Sequence, residues 1–209
     1  MKLYSGLYSS FHPLDCFFPN AEQVIAHKPS DLDGPGILIL HGGSDISPSL
    51  YNKGRSRLTF AGEAPSQRDK AEWELLQEAK RQGIFIFGIC RGAQMLCAAA
   101  GGYLIQDVTN HAGAGHLVLD DLGNQFRVNS LHHQMQAPWD IEHKLLAVSE
   151  QLSAHFIDED NDINVPNEPE AVYYPGVHGL GIQWHPEMMY EHTVANMWIR
   201  QVLKDYIHE

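Results

Sequence analysis

Ile84-Phe85-Ile86-Phe87-Gly88-Ile89-Cys90-Arg91-Gly92-Ala93-Gln94-Met95-Leu96-Cys97-Ala98-Ala99-Ala100 passes from four large apolar residues into an alanine-rich stretch, with two glycines bracketing a cysteine between them. The apolar run reads as a strand buried on both faces, and the stretch after it as a helix. Gly-x-Cys-x-Gly at such a junction is the cysteine form of the nucleophile elbow. Glycines stand where the chain must approach itself too closely for a side chain. Cys90 then projects from a helix N-terminus, where unpaired N–H groups and the helix dipole favour a thiolate. A lone cysteine in apolar surroundings is more often structural. The flanking glycines and the strand-to-helix switch favour the nucleophile instead.

Working outward, Ile37 to Leu40 and Leu180 to Trp184 are two further apolar runs bounded by turn signals, and both predict buried strands. Between Ser66 and Gly83, Ala71, Leu75, Leu76 and Ala79 recur at helical spacing among charged residues, which predicts an amphipathic helix. The helix after Cys90 should stop at Gly101-Gly102, and Tyr103 to Gln106 can return as a strand. Val118 to Asp120, Phe126 to Asn129, Leu145 to Val148 and Ala171 to Tyr174 are further strand candidates, with Gly123-Asn124 as a turn. Thr193 to Ile207 predicts a closing helix with Val194, Met197, Trp198, Val202 and Tyr206 on one broad face. Strand and helix alternate in the first half. The expected fold is therefore α/β, three-layered, with a mostly parallel central sheet and helices on both faces.

The 209 residues, with 44% hydrophobic and 19% charged, fit one ordinary globular domain spanning 1–209. No apolar run reaches membrane-spanning length, and from the polar start Met1-Lys2-Leu3-Tyr4-Ser5 no signal peptide is expected. Cys16, Cys90 and Cys97 lack paired spacing, so a reducing, cytoplasmic compartment is expected. A net charge of −12 disfavours nucleic acid and anionic membranes as partners. No Lys or Arg occurs between Lys144 and Arg200, against nine Asp or Glu, and that stretch reads as a solvated acidic surface.

A cysteine nucleophile needs a base and a group to orient it. Gln183-Trp184-His185-Pro186-Glu187 follows the third buried strand. Reacting groups in open α/β sheets collect beyond the carboxyl ends of the strands, where Cys90 is also expected. Pro186 keeps His185 out of helix, and alternate residues of extended chain face one side, so Glu187 can hold the imidazole. His41-Gly42-Gly43-Ser44-Asp45 follows the first buried strand and should reach the same edge. Its paired glycines either turn the chain or turn N–H groups towards a reacting carbonyl.

With these pieces in place, the chain resembles the class I glutamine amidotransferases and their γ-glutamyl hydrolase relatives. Gly42-Gly43-Ser44-Asp45, Gly88 to Gln94, Ser130-Leu131-His132-His133-Gln134 and Gln183 to Glu187 carry the resemblance, in the family's order. The strings Gly42 to Tyr51, Val128 to Gln134 and Gln67-Arg68-Asp69 are most similar to the γ-glutamyl-γ-aminobutyrate hydrolase branch. The resemblance implies a flavodoxin-like fold and a Cys90-His185-Glu187 triad. It also implies an oxyanion hole from the Gly43 and Arg91 amides. A glutamyl group would be held by Gly42, Gln94 and the Ser130-Leu131-His132 backbone. The reaction implied is cleavage of the γ-amide of glutamine or of a γ-glutamyl amine through a thioester, on a small-molecule substrate and with no cofactor. Two other readings remain: a glutaminase subunit feeding ammonia to a separate synthetase, and a non-catalytic γ-glutamyl-binding module. His41 stands where a proline is usual, and Asp158 to Glu170 matches no motif.

Thirteen histidines invite a metal site, yet neither His-Glu-x-x-His nor Cys-x-x-Cys occurs, so no metal is expected and His111, His116, His132 and His133 read as loop or pocket residues. Asp158, Asp160, Asp162 and Asn164 begin like a calcium loop, but Ile163 and Pro169 occupy the positions that need glycine and glutamate. Cys97, two helical turns beyond Cys90, reads as packing.

Overall fold

The computed structural model describes residues 1–6, 14, 16–113, 115–150 and 152–207. Its first half runs β1 (Lys2–Gly6), β2 (Glu22–Ala26), β3 (Gly36–Leu40), α1 (Gln67–Gln82), β4 (Phe85–Ile89), α2 (Arg91–Ala99) and β5 (Tyr103–Ile105). The second half holds β6 (Asp107–Val108), β7 (His116–Asp120), β8 (Gln125–Val128), β9 (Met135–Ala137), β10 (Lys144–Ser149), β11 (Phe156–Asp158), β12 (Asn161–Asp162), β13 (Glu168–Tyr174), β14 (Gly179–Ile182) and α3 (Val194–Tyr206).

Among the described residues one nine-stranded sheet dominates, in the order β2-β1-β3-β4-β14-β13-β10-β7-β8. The pairings from β2 to β14 are parallel and those from β14 onward antiparallel, so only β13 and β7 run against the rest. The predicted mostly parallel sheet is present. Alternation along β3 shows why its sequence is apolar throughout: Ile37 and Ile39 enter one core and Leu38 and Leu40 the other. Leu75, Leu76 and Ala79 of α1, with Met95, Leu96 and Cys97 of α2, cover the second face. Ala195, Ile199, Val202 and Leu203 of α3 cover the first. Cys97 is packing, as expected.

Helix α1 begins where its sequence says it should. Ser66 Oγ accepts from the Asp69 amide at 3.0 Å while the Asp69 carboxylate accepts from the Ser66 amide at 2.9 Å, a reciprocal capping box. Gly83, at φ 68°, closes the helix in the left-handed conformation that glycine adopts without strain.

Two expectations need correction, and one unassigned segment gains a place. The closing helix turns a different face inward: Ala195, Asn196, Ile199, Val202 and Leu203 are buried, while Val194 and Met197 are exposed. Asn196 lies on that inward face, where its Nδ2 donates to the carbonyls of Pro186 (3.2 Å) and Tyr190 (3.3 Å) and ties its side of the helix to the chain after β14. The stretch between Lys144 and Arg200 is not simply a solvated acidic surface, because Glu168 and Glu170 are buried inside β13. Within Asp158 to Glu170, Asp158 and β12 belong to a small sheet, β12-β11-β6, Glu168 to Glu170 open β13, and the turn between β11 and β12 clamps the loop before α1. There Asp158 pairs with Lys53 (2.6 Å), Asp160 accepts from Ser56 Oγ (2.7 Å), and Glu159 accepts from the Gly54 amide.

Candidate active site

Strands β3, β4 and β14 lie side by side and parallel, with Leu40 opposite Gly88 and Ile89 opposite Ile182. Their carboxyl ends therefore deliver three loops to one edge of the sheet. The loop after β4 is a single residue long. Cys90 sits between strand and helix at φ 51°, ψ −108°, a left-handed backbone rare for a residue with a side chain. Two bonds hold it there: its amide donates to the Ile182 carbonyl at 2.7 Å, and its carbonyl accepts from the Gln94 amide at 3.1 Å. The glycines beside it are required by close approach. A Cβ on Gly88 would come within 2.6 Å of the Gly92 backbone, and one on Gly92 would collide with the Leu40 carbonyl.

The loop after β14 brings His185 to Cys90 and Glu187 to His185, whose Nδ1 donates to Glu187 Oε1 at 2.7 Å. Burial pushes the imidazole down, but its hydrogen bonds to Cys90 and Glu187, reinforced by their charges, raise its pKa to about 10. Asn129, just after β8, clamps the backbone of His185 in both directions: its Oδ1 accepts from the His185 amide and its Nδ2 donates to the His185 carbonyl, each at 2.8 Å.

The loop after β3 packs against this pair. A Cβ on Gly42 would stand 2.5 Å from His185 Cε1, so only glycine lets the loop close on the imidazole. Arg68 fixes the loop from α1, donating through Nη2 to the carbonyls of His41 (3.2 Å) and Gly42 (3.0 Å) and through Nε to Glu72 (2.8 Å). Arg91 points its buried guanidinium away from the cleft into Asp69 and Glu72. One carboxylate pair on α1 thus holds the first residue of α2 and, through Arg68, the glycine loop.

A cleft of about 320 Å³ opens over Cys90, lined by His41, Gly42, Gly43, Cys90, Leu131, His185, Glu187 and Met188. The family model of Peptidase C26 matches residues 16–121, half of the chain. The chain belongs to the peptidase C26 family. Over 174 residues it is 32% identical to protein NtpR of Enterococcus hirae, covering 72% of this chain and 66% of that protein. It is 30% identical to a glutamine amidotransferase-like protein, YvdE, of Lactococcus lactis, covering 74% of this chain and 66% of that one. The chain thus spans just under two thirds of the length of these relatives. Its fold matches a solved candidate component of GMP synthase from Thermoplasma acidophilum with TM-score 0.66 at 16% identity, covering 100% of this chain and 92% of that one. This C26 chain is accordingly glutamine amidotransferase-like, with the three-layer α/β architecture expected.

The structure brings Cys90, His185, Glu187, Gly42, Gly43 and Leu131 to the cleft. Gln94, Ser130 and His132 are buried beside it rather than lining it, and Gln94 Nε2 already donates to the Gln134 carbonyl at 3.0 Å. Sequence reading passed over Asn129, Asp69, Glu72 and the role of Arg68. Arg68 and Asp69 had a signal in the Gln67-Arg68-Asp69 string, and Asn129 in the string before His132. Glu72 had none beyond its place one helical turn from Arg68. Among the described residues no helix is long and apolar enough to cross a membrane.

Proposed function

We propose that this C26 protein is a cysteine hydrolase of γ-glutamyl amides that acts without a synthetase. The observation that carries the reading is the His185–Glu187 pair, 2.7 Å apart, set against Cys90 at a strained elbow under an open cleft. Cys90 Sγ attacks the γ-carbonyl, forming a C–S bond, and the carbonyl oxygen becomes an oxyanion facing the amides of Gly43 and Arg91. His185, protonated up to about pH 10, gives its proton to the leaving nitrogen as the C–N bond breaks. Neutral His185 then takes a proton from water, which attacks the γ-glutamyl thioester and releases glutamate and Cys90. Glu187 keeps the imidazole in the tautomer that presents its other nitrogen to the sulfur. Gly42, Leu131 and the backbone of Ser130 and His132 hold the glutamyl end, with Gln94 behind them.

The second reading, a glutaminase subunit, has a specific observation in its favour. Leu131 and Met188 on the cleft rim are each 52% exposed, and Tyr190 beyond them is almost fully so, an apolar margin that a synthetase could cover. The likeness in fold to a component of GMP synthase is consistent with it.

Glutamine and a panel of γ-glutamyl amines, offered to the isolated protein while glutamate release is followed, separate the readings. Release from one or more of them supports the stand-alone hydrolase. No release until a synthetase is added supports the subunit. Binding without turnover under either condition leaves only the non-catalytic module.

A further inference from the structure

A second group of titratable side chains lies closed inside the antiparallel half of the sheet. His111 comes from the loop before β7, His116 from β7, His132 from the segment after β8, and Glu168 and Glu170 from β13; all five are buried. The ion pairs of Glu168 and Glu170 among the described residues are all with these histidines. Two carboxylates in the interior, with no permanent cation beside them among the described residues, are costly unless something positive joins them.

The hydrogen bonds show where that charge belongs. His132 Nδ1 lies 3.0 Å from the carbonyl of Gln134, which can only accept, so Nδ1 carries the hydrogen and Nε2 is a bare lone pair. His111 Nε2 lies 2.6 Å from Glu168 Oε2, a carboxylate that also accepts from the amides of Leu152 and Ser153. Burial pushes the His111 imidazole down, but its bonds to Glu168 and Glu170 raise its pKa to about 9, so an ion bound at Nδ1 displaces a proton from it. His132 Nε2 and His111 Nδ1 both face Glu170 Oε1, at 3.6 Å and 3.2 Å. His116 Nε2 satisfies this oxygen from outside at 2.9 Å. His111 Nδ1, His132 Nε2 and Glu170 Oε2 make no hydrogen bond. Protonating both imidazoles would place two cations on rings whose centroids are 4.6 Å apart.

We propose that His111 Nδ1, His132 Nε2 and the Glu170 carboxylate bind a divalent cation of the zinc class. Their ligand atoms all lie within 4.8 Å of one another. Donors on a tetrahedral zinc with bonds of about 2.0–2.1 Å stand about 3.3 Å apart, and the two histidine–carboxylate separations, 3.2 and 3.6 Å, lie on either side of that value. Imidazole and carboxylate donors suit zinc, and hydrogen bonds from outer imidazole nitrogens to a carboxylate and a carbonyl are the outer shell that orients such ligands. An ion here neutralises the buried acid and ties His132, next to Leu131 on the cleft rim, to β13. The donors come from three separate stretches, which is why no local spacing announces them.

The experiment uses the full chain stripped with a chelator, shown to remain folded by circular dichroism, and titrated with Zn2+ by calorimetry and with Co2+ by visible absorption. One equivalent of each is expected, with cobalt bands of low-coordinate intensity and a rise in Tm on adding zinc. Glu168→Gln should weaken zinc roughly 10- to 100-fold by loosening His111. His111→Ala should remove the cobalt bands, while His155→Ala, at a half-exposed histidine outside the cluster, should keep them. Folded wild-type protein that takes up neither metal overturns the proposal, and so does full uptake by folded His111→Ala.

Discussion

Two buried histidine–carboxylate centres occupy the two halves of one sheet, and they are built in opposite ways. In the parallel half, His185 and Glu187 lie two residues apart and reach Cys90 because β4 and β14 are neighbours in register. That centre opens into a cleft. In the antiparallel half, His111, His132 and Glu170 come from three distant stretches, and their centre is closed. A group meant to meet a substrate must stand at a strand end beside solvent. A group placed mid-strand, as Glu170 is, can meet only the protein itself or a small ion. The position of a carboxylate along its strand therefore separates the two roles.

The largest effect expected is in the open centre. Cys90→Ala and His185→Ala should each lower the rate of glutamate release by about 10⁴-fold or more, since in the proposed reaction they remove the bond-forming atom and the proton carrier. Glu187→Gln should leave measurable turnover, because the group orients and stabilises without forming a bond. Full activity in Glu187→Gln would erase the distinction drawn within that centre. Selective labelling by a glutamine-like electrophile, read by peptide mapping, should fall on Cys90 rather than Cys16 or Cys97; burial pushes both of those thiols up, Cys97 to about 11.

The next effect is on stability. Gly92→Ala drives a methyl group into the Leu40 carbonyl, where backbone cannot yield as a flexible side chain would. Urea denaturation should show a loss of about 3 kcal/mol. An unchanged midpoint would mean that the elbow is looser than its contacts indicate.

Arg68→Ala tests whether the glycine loop depends on α1. It frees the carbonyls of His41 and Gly42 while leaving Cys90, His185 and Glu187 in place. If the glycine loop forms the proposed oxyanion hole, its displacement should cost roughly tenfold to a hundredfold in kcat. A change confined to KM would assign Arg68 to substrate binding.

The same contrast explains what could be read from sequence. The elbow, the His185-Pro186-Glu187 string and the glycine loop are each local, so steric need and strand-end position are written in neighbouring residues. Strands β3, β4 and β14 were legible because burial on both faces makes them continuously apolar. Strands β1 and β2 were not: Glu22, Gln23 and Ile25 of β2 lie exposed on the sheet edge, and β1 is five residues of mixed polarity. Glu168 and Glu170 looked like surface because the histidines bonded to them, His111 and His116, lie 57 and 54 residues away. The rotated face of α3 was hidden for the same reason, because Asn196 donates to carbonyls that no periodicity reports.

The smallest effect expected is the open centre's share of a pH dependence to which His111 of the closed centre, raised to about 9, also contributes. His185 titrates near 6.5 in an unfolded chain and at about 10 in the folded protein. A group whose pKa rises on folding contributes stability that is complete below the unfolded value and lost as pH climbs through the folded one. The contribution from His185 is therefore present in full below about pH 6.5 and fades between 6.5 and 10. Urea midpoints measured across that range should fall with rising pH in the wild-type protein and fall less steeply in His185→Gln. The histidines of the closed centre are common to both proteins, so the difference between the two slopes isolates His185. Identical slopes would mean that Cys90 and Glu187 do not hold the imidazole as their geometry indicates, and the proton given to the leaving nitrogen would need another source.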